Sequence, residues 1–189
     1  MICMGLLEEV LLHFPYGDTE DDDDYDDYDY DYDVIEEADG DTVFYIDKSC
    51  VLGENFAAFV ENEADRIAKK QGRIVIFQRS LEELKKCQEN VCDAGYQAAR
   101  KGMEQLSRLQ ARQLLFVAHD DCGESEQEEI LFSLLKNSRQ EDIVFVTEDE
   151  LLASDVDLLN EIESVELNSI EVCFIDEDGQ LGIYDFDDD

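Results

Sequence analysis

Basic residues are scarce in this chain: 14 Lys and Arg stand against 51 Asp and Glu, a formal net charge of -37 over 189 residues. That balance disfavours a protein that coats nucleic acid through a broad basic surface. Cations, basic proteins or a short local basic channel remain as partners. Histidine is nearly absent, with two residues, and the six cysteines (Cys3, Cys50, Cys87, Cys92, Cys122, Cys173) contain no CxxC pair. Cys87 and Cys92 are the only close pair, and no histidine lies near them, which argues against zinc. With no secretory leader, the six thiols read as reduced. Long apolar runs are missing too. MICMGLLEEVLLHF has an apolar stripe but holds Glu8 and Glu9 and lacks a basic region, so it resembles neither a signal peptide nor a membrane span. The expectation is a cytoplasmic protein with no membrane contact, opening on a short amphipathic helix over 1–16 that packs on its own domain or docks on a partner.

What is present is enough for one core. Hydrophobic residues make up 44% of the chain, and the length suits one domain plus a tail. Residues 18–33, DTEDDDDYDDYDYDYD, carry eleven carboxylates and four tyrosines with no basic residue. Such like-charge density cannot collapse into a core, so 17–41 reads as an acidic, disordered linker and 42–189 as the domain. The linker serves solubility, or it mimics nucleic acid and competes for the domain's own basic surface; in the second case its deletion raises activity.

Within the domain, short apolar runs alternate with helical patterns. VFYID (43–47), RIVIF (73–77), LLFVA (114–118), IVFVT (143–147) and IEVCFI (170–175) read as strands. Between them, Phe56, Phe59, Val60, Ala64 and Ile67 mark one helical face that Gly72 ends, and 80–110 is helical with a break near Gly95. Ser80 with Glu83 has the form of a capping box. EQEEILFSLLKN carries the stripe Ile130, Leu131, Leu134 and Leu135, and a short acidic helix covers about 155–163. DEDGQ before LGIYDF reads as the turn of a terminal hairpin. Continuous apolar strands alternating with helices predict an α/β fold, a three-layer α/β/α sandwich with a mainly parallel sheet.

In such a sheet the functional crevice lies outside the carboxyl ends of the strands. Asp47 ends the first strand; Glu82 and Glu83 follow the second; Asp120, Asp121, Glu126, Glu128 and Glu129 follow the third; Glu148 and Asp149 follow the fourth. Carboxylates gathered at one edge repel one another unless a cation relieves them. Oxygen donors without nearby His or Cys favour Mg²⁺ or Mn²⁺ over zinc. Chance placement in so acidic a chain is the competing explanation.

Four segments in order resemble the PIN-domain family of metal-dependent nucleases. FYIDKSCVL (44–52) is similar to its first-strand pattern, an apolar run, Asp, any residue, then Ser, Thr or Asn. IVIFQRSLEELKKC (74–87) resembles its second-strand segment with a Glu-Leu pair. DAGYQAARKGMEQL (93–106) looks like a helical segment of PIN domains attached to phosphate-starvation-type ATPases, and IVFVTEDELL (143–152) is similar to its Thr-x-Asp ending. The resemblance spans about residues 43–152 and implies hydrolysis of single-stranded RNA with one or two Mg²⁺ or Mn²⁺ ions. It makes Asp47 the central metal ligand, Glu83 a ligand directly or through water, and Asp149 the residue that binds or orients a second ion. The remaining acid departs from the family's Asp: Glu128 is preferred for lying three residues before Leu131 and seven before Leu135, and Glu126 is the alternate. Ser49 matches a position that steadies the bound carboxylate or phosphate. Each of these residues also has a bland role, as a helix cap, strand-end acid or local hydroxyl. His119 reads as a spectator beside the edge.

Eleven of the fourteen basic residues fall between Arg66 and Arg112. Arg79, Lys85 and Lys86 are the candidates to guide a phosphate backbone, or they are solvated helix faces. The alternative function is a non-catalytic acidic interaction or nucleic-acid-mimic protein on a degenerate PIN-like fold, binding a basic protein. An adhesion module of von Willebrand type is third, because it wants Ser where Val51 stands. A haloacid-dehalogenase phosphatase needs Asp where Ser49 stands, and is excluded.

Overall fold

A computed structural model describes residues 33–38, 40, 42–92, 94–119, 123–162 and 168–186. The amphipathic helix and most of the acidic segment expected before residue 33 lie outside the described residues, as do Asp120 and Asp121. Six strands form one sheet: β1 (Val43–Ile46), β2 (Arg73–Phe77), β3 (Leu115–Ala118), β4 (Ile143–Val146), β5 (Ile170–Ile175) and β6 (Leu181–Ile183). Their order is β3-β2-β1-β4-β5-β6, with the first five parallel and β6 antiparallel to β5. The helices are α1 (Val34–Glu37), α2 (Lys48–Leu52), α3 (Phe56–Asn62), α4 (Ala64–Lys69), α5 (Gln78–Glu89), α6 (Tyr96–Ala111), α7 (Glu126–Asn137) and α8 (Glu150–Asp157), the last running into a 3-10 turn (Leu158–Glu161).

Strand alternation divides the interior in two. Phe44, Ile46, Ile74, Ile76, Val144 and Val146 pack with apolar residues of α1 to α6, whereas Tyr45, Val75, Phe77, Ile143 and Phe145 pack with α7, α8 and the 3-10 turn. Helices on both faces explain why every residue of β1 and β4 is buried and why these strands read as unbroken apolar runs. The arrangement is α/β with a mostly parallel sheet and fits the expected three-layer sandwich. The terminal hairpin is present: Gly179 takes φ +78° at its turn, and Asp176 accepts from the amides of Asp178 at 2.9 Å and Gln180 at 2.7 Å. Among the described residues no helix is long and apolar enough to cross a membrane.

Several local expectations are corrected. The linker was expected to run to residue 41, but α1 lies inside it, capped by Asp33 and with Val34 and Ile35 2% exposed. Val34 and Ile35 join the core, and Arg66 pairs with Asp33 and Glu36 beside them. Gly72 does not supply the left-handed residue after α4; Gln71 does, at φ 64°. Gly72 is needed for close approach, since a Cβ there would meet Phe44 and Ile67 at 3.1 Å. Helix α5 begins at Gln78, directly from β2, so Ser80 and Glu83 lie inside it and form no capping box. Helix α8 starts at Glu150 because Asp149 caps it, five residues earlier than the acidic pattern implied.

Candidate functional site

The chain turns to opposite sides of β1: β2 and β3 extend the sheet one way, and β4 and β5 the other. Helices that leave β1 and β4 therefore diverge and open a crevice at the carboxyl ends of these two strands. The crevice measures about 490 Å³, and Asp47, Lys48, Glu126, Gln127, Asp149 and Asp155 contribute its polar wall.

Asp47 is 3% exposed at the head of α2. Its Oδ2 accepts from the Ser49 amide at 3.1 Å and from the Thr147 hydroxyl at 3.3 Å. Ser49 Oγ lies 3.2 Å from Thr147 Oγ1 and accepts from the Glu148 amide at 2.9 Å, which ties the end of β1 to the end of β4. Thr147 Oγ1 also accepts from the Asp149 amide at 3.1 Å. Asp149 places Oδ1 on the amides of Leu151 and Leu152, at 3.1 and 3.2 Å, as the cap of α8. The cap role and the crevice position coexist, because only one of its two oxygens is used by these bonds. Glu148 turns the other way, its Oε1 accepting from the Ile175 amide at 3.1 Å.

Lys48 lies between two acids brought from different helices. Its Nζ is 2.5 Å from Glu83 Oε2 on α5 and pairs with Glu126 Oε2 on α7. The other Glu126 oxygen accepts from the Ser80 hydroxyl at 2.7 Å. Burial works against the Lys48 ammonium, but the hydrogen bonds and charges of Glu126 and Glu83 outweigh it and raise its pKa above the ordinary lysine value. The Cys50 thiol, one turn into α2, is pushed well up by burial and by the charges of Glu148 and Asp47, so it stays protonated. Burial, with the Glu148 charge, also pushes Tyr184 up to about 12; its hydroxyl donates to the Thr147 carbonyl at 3.1 Å.

Of the acids named from sequence, Asp47, Glu126 and Asp149 line the crevice, and Glu83 reaches its rim through Lys48. Glu128, the preferred third acid, does not line it. Its Oε2 accepts from the amides of Glu124 at 2.6 Å and Ser125 at 3.3 Å in a capping box with Ser125. The spacing to Leu131 and Leu135 described the helix stripe correctly but not the first turn, where unsatisfied amides claim a Glu three residues after a Ser. Arg79 is committed to structure rather than to a substrate path: its Nε lies 2.8 Å from Glu129, itself 1% exposed, and its Nη2 donates to the Gly123 carbonyl at 2.9 Å. Lys85 and Lys86 are exposed on α5, without an ion-pair partner among the described residues. His119 is exposed after β3.

Sequence reasoning gave no site role to Lys48 or Gln127, read Ser80 only as a helix cap, and named Thr147 only as the start of the Thr-x-Asp pattern. Only Lys48 and Thr147 carried a signal, as the neighbours of strand-end acids. Ser80 and Gln127 depend on which way a helix is turned. Among the described residues no group of three or more His, Cys, Asp or Glu side chains stands close enough to hold a metal as arranged, and the four cysteines among these residues, Cys50, Cys87, Cys92 and Cys173, are free thiols. No family model matches the sequence, and no curated protein matches it.

Proposed function

We propose that this chain is a PIN-like ribonuclease that hydrolyses phosphodiester bonds of single-stranded RNA with Mg²⁺ or Mn²⁺. One observation carries the reading: Asp47, Glu126 and Asp149, from three separate stretches of chain, face one crevice at the switch between β1 and β4. The acids offer only oxygen donors, the kind a hard divalent cation takes, but as arranged among the described residues no three of them stand close enough to share one ion, and the edge holds one cationic group, the Lys48 ammonium. Asp47, Glu126 and Asp149 would hold the ion, with Glu83 beside them. When bound, a divalent ion supplies charge neutralisation at phosphorus and a more acidic water.

The chain's own residues do the rest. Ser49 and Thr147 hold the Asp47 carboxylate in one orientation and leave Oδ1 free of those bonds. Asp149 is oriented by the amides it caps. The buried floor formed by Ile130 and Leu152 limits water beneath the carboxylates. Lys85 and Lys86 offer exposed ammonium groups to a phosphate backbone. Labelled single-stranded RNA incubated with Mn²⁺, with chelator, and with Asp47→Asn tests the reading. Cutting that requires the ion and disappears in the variant is the expected result.

A second reading rests on a specific observation. Glu83 and Glu126 share the Lys48 ammonium, which offsets one of their two negative charges, and a neutral amide, Gln127, occupies the wall beside Glu126. On that basis the domain is a non-catalytic acidic module that binds a basic protein. Absence of cutting under every condition, together with salt-sensitive retention on a basic protein, selects this alternative.

A further inference from the structure

We infer that a groove between α2 and α3 on one side and α6 on the other binds a small apolar monocarboxylate, with Lys101 and Gln105 as its polar contacts. The inference stands apart from the nuclease reading, because no residue lines both this groove and the crevice. The groove measures about 490 Å³, within the range of small-molecule sites. Leu52, Phe56 and Ala57 supply apolar wall on one side and Ala98 on the other. Helix α6 closes on α2 at Gly102, where a Cβ would stand 2.3 Å from the Val51 carbonyl oxygen, whereas the short side chains of Ala57 and Ala98 leave the groove open.

Two donors in this groove have no acceptor. Gln105 lines it and is only 8% exposed. Arg108 Nη1 donates to its Oε1 at 3.3 Å, and because a guanidinium can only donate, that bond fixes which end of the amide is oxygen. The Nε2 end is left without an acceptor among the described residues, a costly state for a nearly buried amide. Lys101 also lines the groove, is exposed, and has no ion-pair partner among the described residues. Helix α6 carries Arg100, Lys101 and Arg108 against Glu104 alone, so it is locally cationic in an acidic chain. Donors without acceptors select a head group that only accepts, and the ammonium selects an anionic one. Glu54 on the opposite rim repels a second negative charge, which disfavours phosphates and dicarboxylates and leaves a single carboxylate. The apolar wall then takes a hydrocarbon tail.

The test is titration of the full chain with decanoate, kept below its micellar concentration, at one ionic strength high enough to screen the net negative charge. Binding is read by NMR, from the backbone amides of Ala98 and Gly102 and the side-chain amide of Gln105. Decanoate should shift these signals to saturation. Decanol, which keeps the tail, and acetate, which keeps the charge, should each bind at least about tenfold more weakly. Lys101→Met and Gln105→Leu should each weaken decanoate by about tenfold, while Lys101→Arg stays within about threefold of wild type. Absence of a saturable shift at the groove overturns the inference. So does decanol binding as tightly as decanoate, or unchanged affinity in Lys101→Met, either of which marks an adventitious apolar contact. Lys101 is exposed, so its variants keep the test open should Gln105→Leu fail to fold. Neither metal nor cutting enters the readout, so this inference and the nuclease reading fail separately.

Discussion

Two cations in this molecule each gather acids from distant parts of the chain, and they do so to different ends. Arg66 on α4 holds Asp33 at 2.5 Å, Glu36 at 3.3 Å and Glu63 at 2.8 Å, and with Lys70 on the Glu36 carbonyl at 2.6 Å it fastens α1 to the domain. Lys48 holds Glu83 and Glu126 beside a crevice. A guanidinium presents several donors in a fixed fork, so its cluster is directional and closes on itself. An ammonium offers charge with less fixed geometry, so its pairs are less directional. The Arg66 cluster holds a short helix to the domain, whereas the Lys48 ammonium links acids of α5 and α7 at the crevice.

The sharpest break of this comparison comes from Asp47, which lines the crevice while capping α2. On the proposed nuclease reading, Asp47→Asn should reduce Mn²⁺-supported cleavage by roughly a hundredfold or more, since that reading makes it a ligand rather than a residue that orients one. Its melting temperature should change little compared with that of Arg66→Ala; cleavage assays and thermal melts on the same samples separate the two. Retained cleavage would detach Asp47 from the chemistry.

Next in size is the fastening. Arg66→Ala strands Glu63, whose side chain is 3% exposed, without its guanidinium, and should cost about 2–4 kcal/mol in urea unfolding. Arg66→Lys should recover only part, because the fork is lost. Equal stability of the Ala variant and wild type would show that the cluster fastens nothing.

A pH series sharpens the contrast within the Arg66 cluster. Burial raises the Asp33 carboxyl, but the Arg66 hydrogen bond and the amides of Glu36 and Ile35 outweigh it and hold its pKa below the usual aspartate value. A lowered folded value gives stability that is present above the unfolded pKa of about 3.9 and lost as pH falls through the folded one. Glu63 has the opposite sign: burial prevails over Arg66 and raises it, so its contribution is present at low pH and lost as pH rises. The stability gap between wild type and Asp33→Asn should therefore be widest near neutrality and close below about pH 3. A gap that persists in acid would rule out the ionised Asp33 as its source.

The smallest effect expected is at Tyr184. Tyr184→Phe removes one hydrogen bond to the Thr147 carbonyl and should cost about 1 kcal/mol by chemical denaturation, with cleavage affected less than by Asp47→Asn. Because the phenol is pushed up to about 12, wild type should lose this increment as pH rises from about 10 towards that value, and the Phe variant should not.

Much of the fold was legible because its signals are local. Strands β2 and β5 and helix α7 fall where the apolar runs and the stripe Ile130, Leu131, Leu134 place them, and Gly179 marks the terminal turn. The edge at which Asp47 and Asp149 meet was legible through the rule that parallel sheets gather their strand-to-helix turns. The third acid was not. Glu126 and Glu128 sit two residues apart on one helix, about 200° around its axis, and which one faces the crevice depends on the capping box that Ser125 closes with Glu128. Arg79 likewise looked like a phosphate ligand until Glu129 was found beneath it.

Sequence by itself determined the alternation of strands and helices, the two-sided burial of β1 and β4, and the delivery of carboxylates to one sheet edge, because these follow from side-chain period and the sterics of parallel connections. Tertiary structure alone decided that Lys48 stands between Glu83 and Glu126, that Ser80 supports Glu126, and that Glu128 serves its own helix. Those pairings join residues 35 to 78 positions apart, or turn on a helix's rotation about its axis, and no local pattern encodes either.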